Sequence, residues 1–300
     1  MISPDWDVVG IGENSIDEIY RLPELPGANA KIPIAGRRVS PGGQVATTMC
    51  ACARLGLRAS YVGAFGSDEH GTRVRAALSE RGVHTGDAFV RQAANRHAVI
   101  LVDARSGERA VLWRRDPALT LDPQELRPAM VTGTRVLHVD GTDAAFSLAA
   151  ARAARDAGVR VTSDIDEASD LARELIDTVD VAILAEHVPR ELTRLADVER
   201  AMRTLRRQHA ASICVTLGAR GALLLEKDRL YRSAAFPVKA VDTTGAGDIF
   251  RAGFICAMLR GEAPEDVLRF ANAAAAVGCT REGAIESVPS LEEVLTLLDD

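Results

Sequence analysis

Apolar positions along this chain change their rhythm about a third of the way in. In the first third they come as short runs divided by Gly and Pro. Residues 8–11 form an apolar run of the kind a buried strand shows. Residues 16–22 and 32–39 read as strands on either side of a Pro- and Gly-containing turn. Residues 42–56 read as a helix stopped by Gly56, 59–63 as a strand, and 68–81 as a helix stopped by Gly82. The stretches 88–91, 97–103 and 109–113 predict three more strands, with 104–107 as a turn. After Asp122-Pro123 strands and helices alternate: strand 136–139, helix 143–157, strand 160–163, a helix near 169–176, strand 179–184, helices across 188–208 and strand 212–216. Residues 222–226 and 230–232 predict a hairpin turning at Lys227-Asp228, and helices over about 246–260, 264–278 and 291–298 follow.

Strand–helix repeats of this length imply right-handed crossovers and a mainly parallel sheet covered by helices on both faces, an α/β/α sandwich. The strands in 14–40 and 88–115 fall outside that alternation. Composition fits a water-soluble globular chain, 47% hydrophobic and 26% charged. With 36 basic and 42 acidic residues the net charge is −6, which argues against general binding to nucleic acid or anionic membranes. No apolar run approaches membrane-spanning length, and the start carries Asp5 and Asp7 rather than a leader-like stretch. The five cysteines are odd in number and scattered, with no Cys-x-x-Cys, so free thiols in a reducing, cytoplasmic setting are expected.

The chemistry concentrates in Val241-Asp242-Thr243-Thr244-Gly245-Ala246-Gly247-Asp248, which opens an apolar helix. Gly245 and Gly247 allow a tight turn and remove side chains that would keep an anion from the amides. The helix points its positive end and open N–H groups at the same place. A carboxylate there is unfavourable beside phosphate unless its task is to take a proton from an attacking hydroxyl. An anion cradle beside a base is the minimum equipment for phosphoryl transfer to an alcohol. The plainer alternative is a helix N-terminus in which Asp248 merely favours the dipole. Other motifs fail: Gly10-Ile11-Gly12-Glu13-Asn14-Ser15 lacks the third glycine of a dinucleotide fingerprint, and no Gly-x-x-x-x-Gly-Lys-Ser/Thr, Gly-x-Ser-x-Gly or His-Glu-x-x-His occurs.

That stretch resembles the second signature of the ribokinase-like (PfkB) family of carbohydrate and nucleoside kinases. A first signature matches too, from Pro41-Gly42-Gly43-Gln44-Val45-Ala46-Thr47 to Tyr61-Val62-Gly63-Ala64-Phe65-Gly66-Ser67-Asp68. The resemblance covers nearly all 300 residues and implies one ribokinase-like domain over 1–300, with a small β lid from about 14–40 and 88–115. It implies ATP- and Mg²⁺-dependent transfer of the γ-phosphoryl group to a sugar or sugar derivative, with a nucleoside kinase or a non-catalytic metabolite-binding protein as alternatives.

Residue by residue, the resemblance makes Asp248 the base and Gly245, Ala246 and Gly247 the anion turn. Asp17, Gly42, Gly43 and Thr47 fall at sugar positions. Thr216, Gly218, Gly221 and Asn272 fall on the nucleotide side. Asp242, Thr244, Cys279, Glu282 and Ser287 match positions that bind a monovalent cation such as K⁺ in some relatives, and dimerisation through the lid is a further implication. Two departures stand out. Thr47 replaces a common Asn, and the family's Asn-x-x-Glu appears as Ala185-Glu186-His187-Val188, leaving Glu186 to take over metal-bound water. Arg114 and Arg115 beside a sugar pocket suit a phosphate or carboxylate, or pair with Asp116 as a solvated run. Asp140, Asp143, Asp164 and Asp166 follow strands whose carboxyl ends line the ligand crevice in such folds.

Overall fold

The chain is described by a computed structural model over residues 4–106, 108–209 and 211–299, which leaves Gly107 of the expected 104–107 turn outside the description. The elements run β1 (Trp6–Ile11), β2 (Ser15–Leu22), β3 (Gly36–Gly42), α1 (Gln44–Arg54), β4 (Ala59–Val62), β5 (Ala64–Gly66), α2 (Glu69–Glu80), β6 (Phe89–Arg91), β7 (His97–Asp103) and β8 (Arg109–Arg114). Then come α3 (Ala129–Thr132), β9 (Thr134–Val139), α4 (Ala144–Asp156), β10 (Arg160–Ile165), α5 (Asp170–Thr178), β11 (Val181–Ala185), α6 (His187–Thr193) and α7 (Val198–Gln208). Strands β12 (Ser212–Thr216), β13 (Ala222–Glu226) and β14 (Arg229–Ser233) precede α8 (Ala246–Arg260), α9 (Pro264–Cys279) and α10 (Leu291–Asp299).

An eight-stranded sheet in the order β14-β13-β12-β11-β10-β9-β1-β4 forms the middle layer. It is parallel from β4 to β12, and β13 and β14 add an antiparallel edge. Alternate side chains go to opposite faces, as the pleat requires. Val8, Val136, Ile183 and Cys214 pack under α1, α8 and α9, while Val9, Leu137, Leu184 and Val215 pack in the opposite core with α4, α5 and α7. Both faces are buried, so the strands read as continuous apolar runs. All five cysteines are free, and no helix of the described residues is long and apolar enough to cross a membrane.

A second sheet, ordered β3-β2-β7-β8, stands apart from the first. Its β8 strand is an open edge with Val111, Leu112 and Trp113 exposed. Strand β6 lies elsewhere, paired with β5 in a two-stranded sheet, because Phe89 N–H donates to the Gly63 carbonyl rather than to a neighbour in the small sheet. Strand β3 starts at Gly36, four residues later than its apolar run, since Pro33 has no N–H for the ladder and Ile34 is exposed. The helical run over 188–208 is broken where Arg194 adopts φ 57°, and Asp197 restarts it by accepting a bond from Arg200 N–H.

Candidate active site at the carboxyl end of the sheet

The carboxyl ends of β1, β9, β10, β11 and β12 all open on one edge of the large sheet, where ligands settle in parallel α/β folds. A cavity of about 670 Å³ lies there, lined among others by Glu13, Gln44, Arg96, Trp113, Thr142 and Asp166. Its floor is body and part of its roof is the small sheet.

The N-terminus of α8 faces the same region. Gly245 takes the left-handed conformation (φ 76°) that starts the helix, and no side chain caps it. The open N–H groups of the first turn and the helix dipole therefore suit an anion. Asp248 sits in that turn, half-buried. Burial pushes its carboxyl well above the usual range, Asp164 pushes the same way, and Arg251 opposes both. The Thr48 hydroxyl donates to the Asp248 carbonyl oxygen at 3.3 Å and to the Gln44 carbonyl at 2.9 Å, which ties α1 to the turn.

Asp17 and the glycine pair meet next to the same crevice. Asp17 accepts the Ser15 hydroxyl at 3.0 Å, and a Cβ on Gly42 would stand 3.0 Å from its Oδ2. Gly43 has φ 100°, and a Cβ there would lie 2.7 Å from the Glu13 carbonyl oxygen. Thr47, expected beside the sugar, is instead fully buried with an unpartnered hydroxyl, and its methyl lies beneath Gly245. Thr47 packs against the start of α8, while the longer Gln44 side chain reaches the cavity.

The cavity's two arginines are already engaged. Arg96 Nε lies 2.5 Å from Glu13, and Arg115 Nη2 reaches both Asp143 oxygens at 2.8 and 2.9 Å. Arg115 is therefore a buried-pair partner rather than a free anion receptor. Glu13 is driven up to about 8, chiefly by burial, with Arg96 opposing and Asp140, Asp17 and Asp166 adding to it. Asp140, buried and raised to about 6, accepts the N–H groups of Glu13 at 2.7 Å and Thr142 at 2.9 Å. Gln44 donates to Asp166 at 2.6 Å.

On the other side, Thr216 ends β12 and Gly218 (φ 58°) and Gly221 (φ 92°) shape the turn that follows. Asn272 bonds the segment that Gly221 packs against. Its amide nitrogen donates to the carbonyls of Ser233 at 3.1 Å and Ala234 at 3.3 Å, so it braces α9 against the segment leaving β14. Glu186 stands at the end of β11, held by Arg190 and by Arg220 of the β12 turn. A nucleotide's phosphates and water fill most positions around Mg²⁺, and a carboxylate beside the phosphate turn is enough to hold a metal-bound water. Glu186, bridged to that turn by exposed Arg220, fits such a water-mediated role, and no side-chain cluster for direct metal ligation occurs among the described residues.

The residues expected around a monovalent cation come together, and the Asp242 carboxylate among them is fully engaged. Asp242 accepts Thr244 N–H and hydroxyl on one oxygen, and Gly283 N–H and Arg38 Nη2 on the other, at 2.7 to 3.0 Å. Burial works to raise its carboxyl, yet these bonds outweigh it and bring it down to about 2. The Cys279 carbonyl accepts Val241 and Asp242 N–H, Ser287 donates to the Ala284 carbonyl, and Glu282 pairs with Arg38 and Arg21. The Arg38 guanidinium thus brings a positive charge to the Asp242 side chain.

Fold and site together define an α/β protein with an uncapped helix start beside a carboxylate, near a polar cavity. Residues 7–291 match the pfkB family of carbohydrate kinases, and the chain belongs to that family. It is 28% identical to the ribokinase of Haemophilus influenzae over 299 residues, covering 96% of this chain and 97% of that one. It is 30% identical to fructokinase-1 of Oryza sativa subsp. japonica over 320 residues, covering 97% of each. Among solved structures it is similar to Arabidopsis thaliana ribokinase complexed with ribose and ATP, with a TM-score of 0.87, 25% identity and 100% of both chains covered. The protein is a carbohydrate kinase with the ribokinase fold.

Glu13, Gln44, Thr48, Arg96 and Arg251 escaped the reading from sequence. Arg251 carried a signal: it is a lone charge in the apolar run 249–257. The other four owe their places to long-range packing.

Proposed function

We propose that this kinase moves the γ-phosphoryl group of ATP to a hydroxyl of a neutral sugar, with Asp248 as general base. The observation that carries this is the placement of Asp248 in the uncapped first turn of α8, next to Asp164, which borders the 670 Å³ cavity. The acceptor hydroxyl gives its proton to the Asp248 carboxylate while its oxygen bonds to the γ-phosphorus, and the bond to the β-phosphate oxygen breaks to release ADP. The N–H groups of Gly245, Ala246 and Gly247 hold the charge on the transferred group. Mg²⁺ bound with the nucleotide supplies neutralising charge to the phosphates. Thr216, Gly218 and Gly221 shape the nucleotide side, and Asp17, Gly42 and Gly43 let the sugar approach the backbone. The small sheet acts as a lid that excludes water from the transfer. Ser40, bonded to Glu286 at 2.7 Å, and Arg38, bonded to Asp242, tie it to the body.

Charge argues for a neutral acceptor. Asp116, Asp166 and Glu167 line the cavity, while Arg115 is paired with Asp143 and Arg96 is held by Glu13. A phosphorylated or acidic sugar would meet this negative charge with no unengaged cation among the described lining residues. The test is ADP release with ketoses, aldoses, sugar phosphates, sugar acids and nucleosides, in KCl and in tetramethylammonium chloride. Turnover with a neutral sugar, unchanged within about twofold between the salts, is expected, since Arg38 already neutralises the Asp242 carboxylate. A sugar phosphate or nucleoside as best acceptor would overturn the neutral-sugar reading. Binding of ATP with no turnover on any acceptor would favour a metabolite-binding protein.

A second copy would pair along the open β8 edge, as exposed strands invite. Sedimentation should then show a dimer that Leu112→Lys weakens at least about tenfold. A wild-type monomer at all concentrations would refute it.

A further inference from the structure

Arg251 is 4% exposed, within the apolar run of α8. Arginine is almost never buried so deeply without a partner and a reason. Its partner is Asp164, buried at the end of β10. Its Nε has no partner, and neither Asp164 oxygen makes a well-aligned hydrogen bond. The pair is therefore held by charge rather than saturated by bonds, and both members retain capacity beside the transfer site. Position on the helix explains the reach. Arg251 lies four residues beyond Gly247, on the same face, and its side chain runs back toward the helix start. A Cβ on Gly247 would lie only 2.6 Å from Arg251 Nη1, so the glycine makes room for the guanidinium directly beneath the anion turn.

The strands under α8 are prepared for this group. His138, Thr162 and Asp164 break the apolar pattern on the face that looks at α8. His138 is bonded to Thr162 at 2.9 Å and is driven down to about 3 by burial and by Arg251, so it stays neutral and does not compete. Cys214, on the next strand but one, is driven up to about 12 by burial and stays a thiol. The charged groups that act on Asp248 are Asp164, Arg251, Glu13 and Asp166. Arg251 is the single cation among them.

We propose that Arg251 is the fixed internal counter-ion of the transfer site, a positioning residue that balances the charges of Asp164 and Asp248 together and fixes the anion turn from below. The inference rests on Asp248 being the general base. Two interacting carboxylates disfavour each other's ionisation, and a positive neighbour relieves that conflict. Burial and Asp166 push Asp164 up to about 7 even with Arg251 present. Removing the guanidinium raises both carboxyls further, so the base reaches its ionised form only at a higher pH.

The test is the pH profile of kcat/KM for Arg251→Met and Arg251→Lys, with the titration of ¹³C-labelled aspartate followed by NMR in the same proteins. For Arg251→Met the acid limb should move up by at least about one pH unit and the Asp164 resonance should titrate higher. For Arg251→Lys, which keeps the charge, both should stay near wild type. Asp164→Asn removes a neighbouring negative charge and should move the limb the other way. If Arg251→Met folds poorly, Asp164→Asn/Arg251→Met removes both charges and restores the fold. A thermal midpoint that drops with the limb unmoved would overturn the counter-ion role and leave Arg251 as packing. Asp248→Asn in parallel keeps the two readings apart: an active Asp248→Asn sinks the base whatever Arg251 does, and an inactive one with an unmoved Arg251→Met limb sinks only the counter-ion.

Discussion

Asp248→Asn is expected to lower kcat by at least about a hundredfold while leaving ATP affinity and the fold intact. Asparagine matches aspartate in size and keeps the bond from Thr48, which goes to the backbone carbonyl of residue 248. What it loses is the ability to take a proton. Stability should hold or rise. The Asp248 carboxyl is raised in the folded state, so the folded chain binds that proton more tightly than the unfolded one. Such a group favours folding below the unfolded carboxyl range and loses that advantage as pH rises toward the folded value. A neutral amide removes this penalty at pH 7. Stopped-flow turnover, ATP titration calorimetry and a thermal melt settle the matter, and near-normal turnover would end the assignment of the base.

Gly221→Ala is expected to cost about 3 kcal/mol or more in urea denaturation. Gly221 has φ 92° and ψ −134°, a conformation that L side chains rarely adopt. A Cβ there would land on the Ser233 carbonyl oxygen and lie 2.7 Å from the Ala234 carbonyl carbon. Both obstacles are backbone of the segment leaving β14, which Asn272 also braces, so neither can swing aside. The chain must shift at the turn after β12, and KM for ATP should rise while KM for the acceptor changes little. Gly56→Ala is the control. Gly56 has φ 93° but nothing within 4 Å of a new Cβ, so only the left-handed penalty of about 1–2 kcal/mol applies. Equal losses in the two variants would mean that steric conflict at Gly221 contributes nothing.

The alternation after residue 122 was legible because a parallel sheet buried on both faces demands continuous apolar strands. Helix stops at Gly56 and Gly82 were legible for a local reason too, since both glycines take positive φ. Strand β6 was legible as a strand but not as a partner of β5, because pairing is decided by where the chain returns rather than by its own residues. The same limit applies to Arg115. Its sequence neighbourhood offers Asp116, yet its carboxylate is Asp143, 28 residues away. Thr47 and Asn272 occupy the expected elements, but one packs against α8 and the other bonds the Ser233–Ala234 backbone.

What the sequence determined by itself was the local chemistry: a glycine turn, a helix start and a carboxylate within four residues, in a chain whose periodicity specifies an α/β/α sandwich. Backbone freedom, dipole direction and side-chain type are short-range properties, readable in order along the chain. Tertiary structure alone decided which charges meet. Asp164 and Arg251 stand 87 positions apart and Arg38 and Asp242 204 apart. In a buried crevice, where Coulomb terms outweigh propensity, it is those meetings that set whether a carboxylate is a base, a brace or the partner of an arginine.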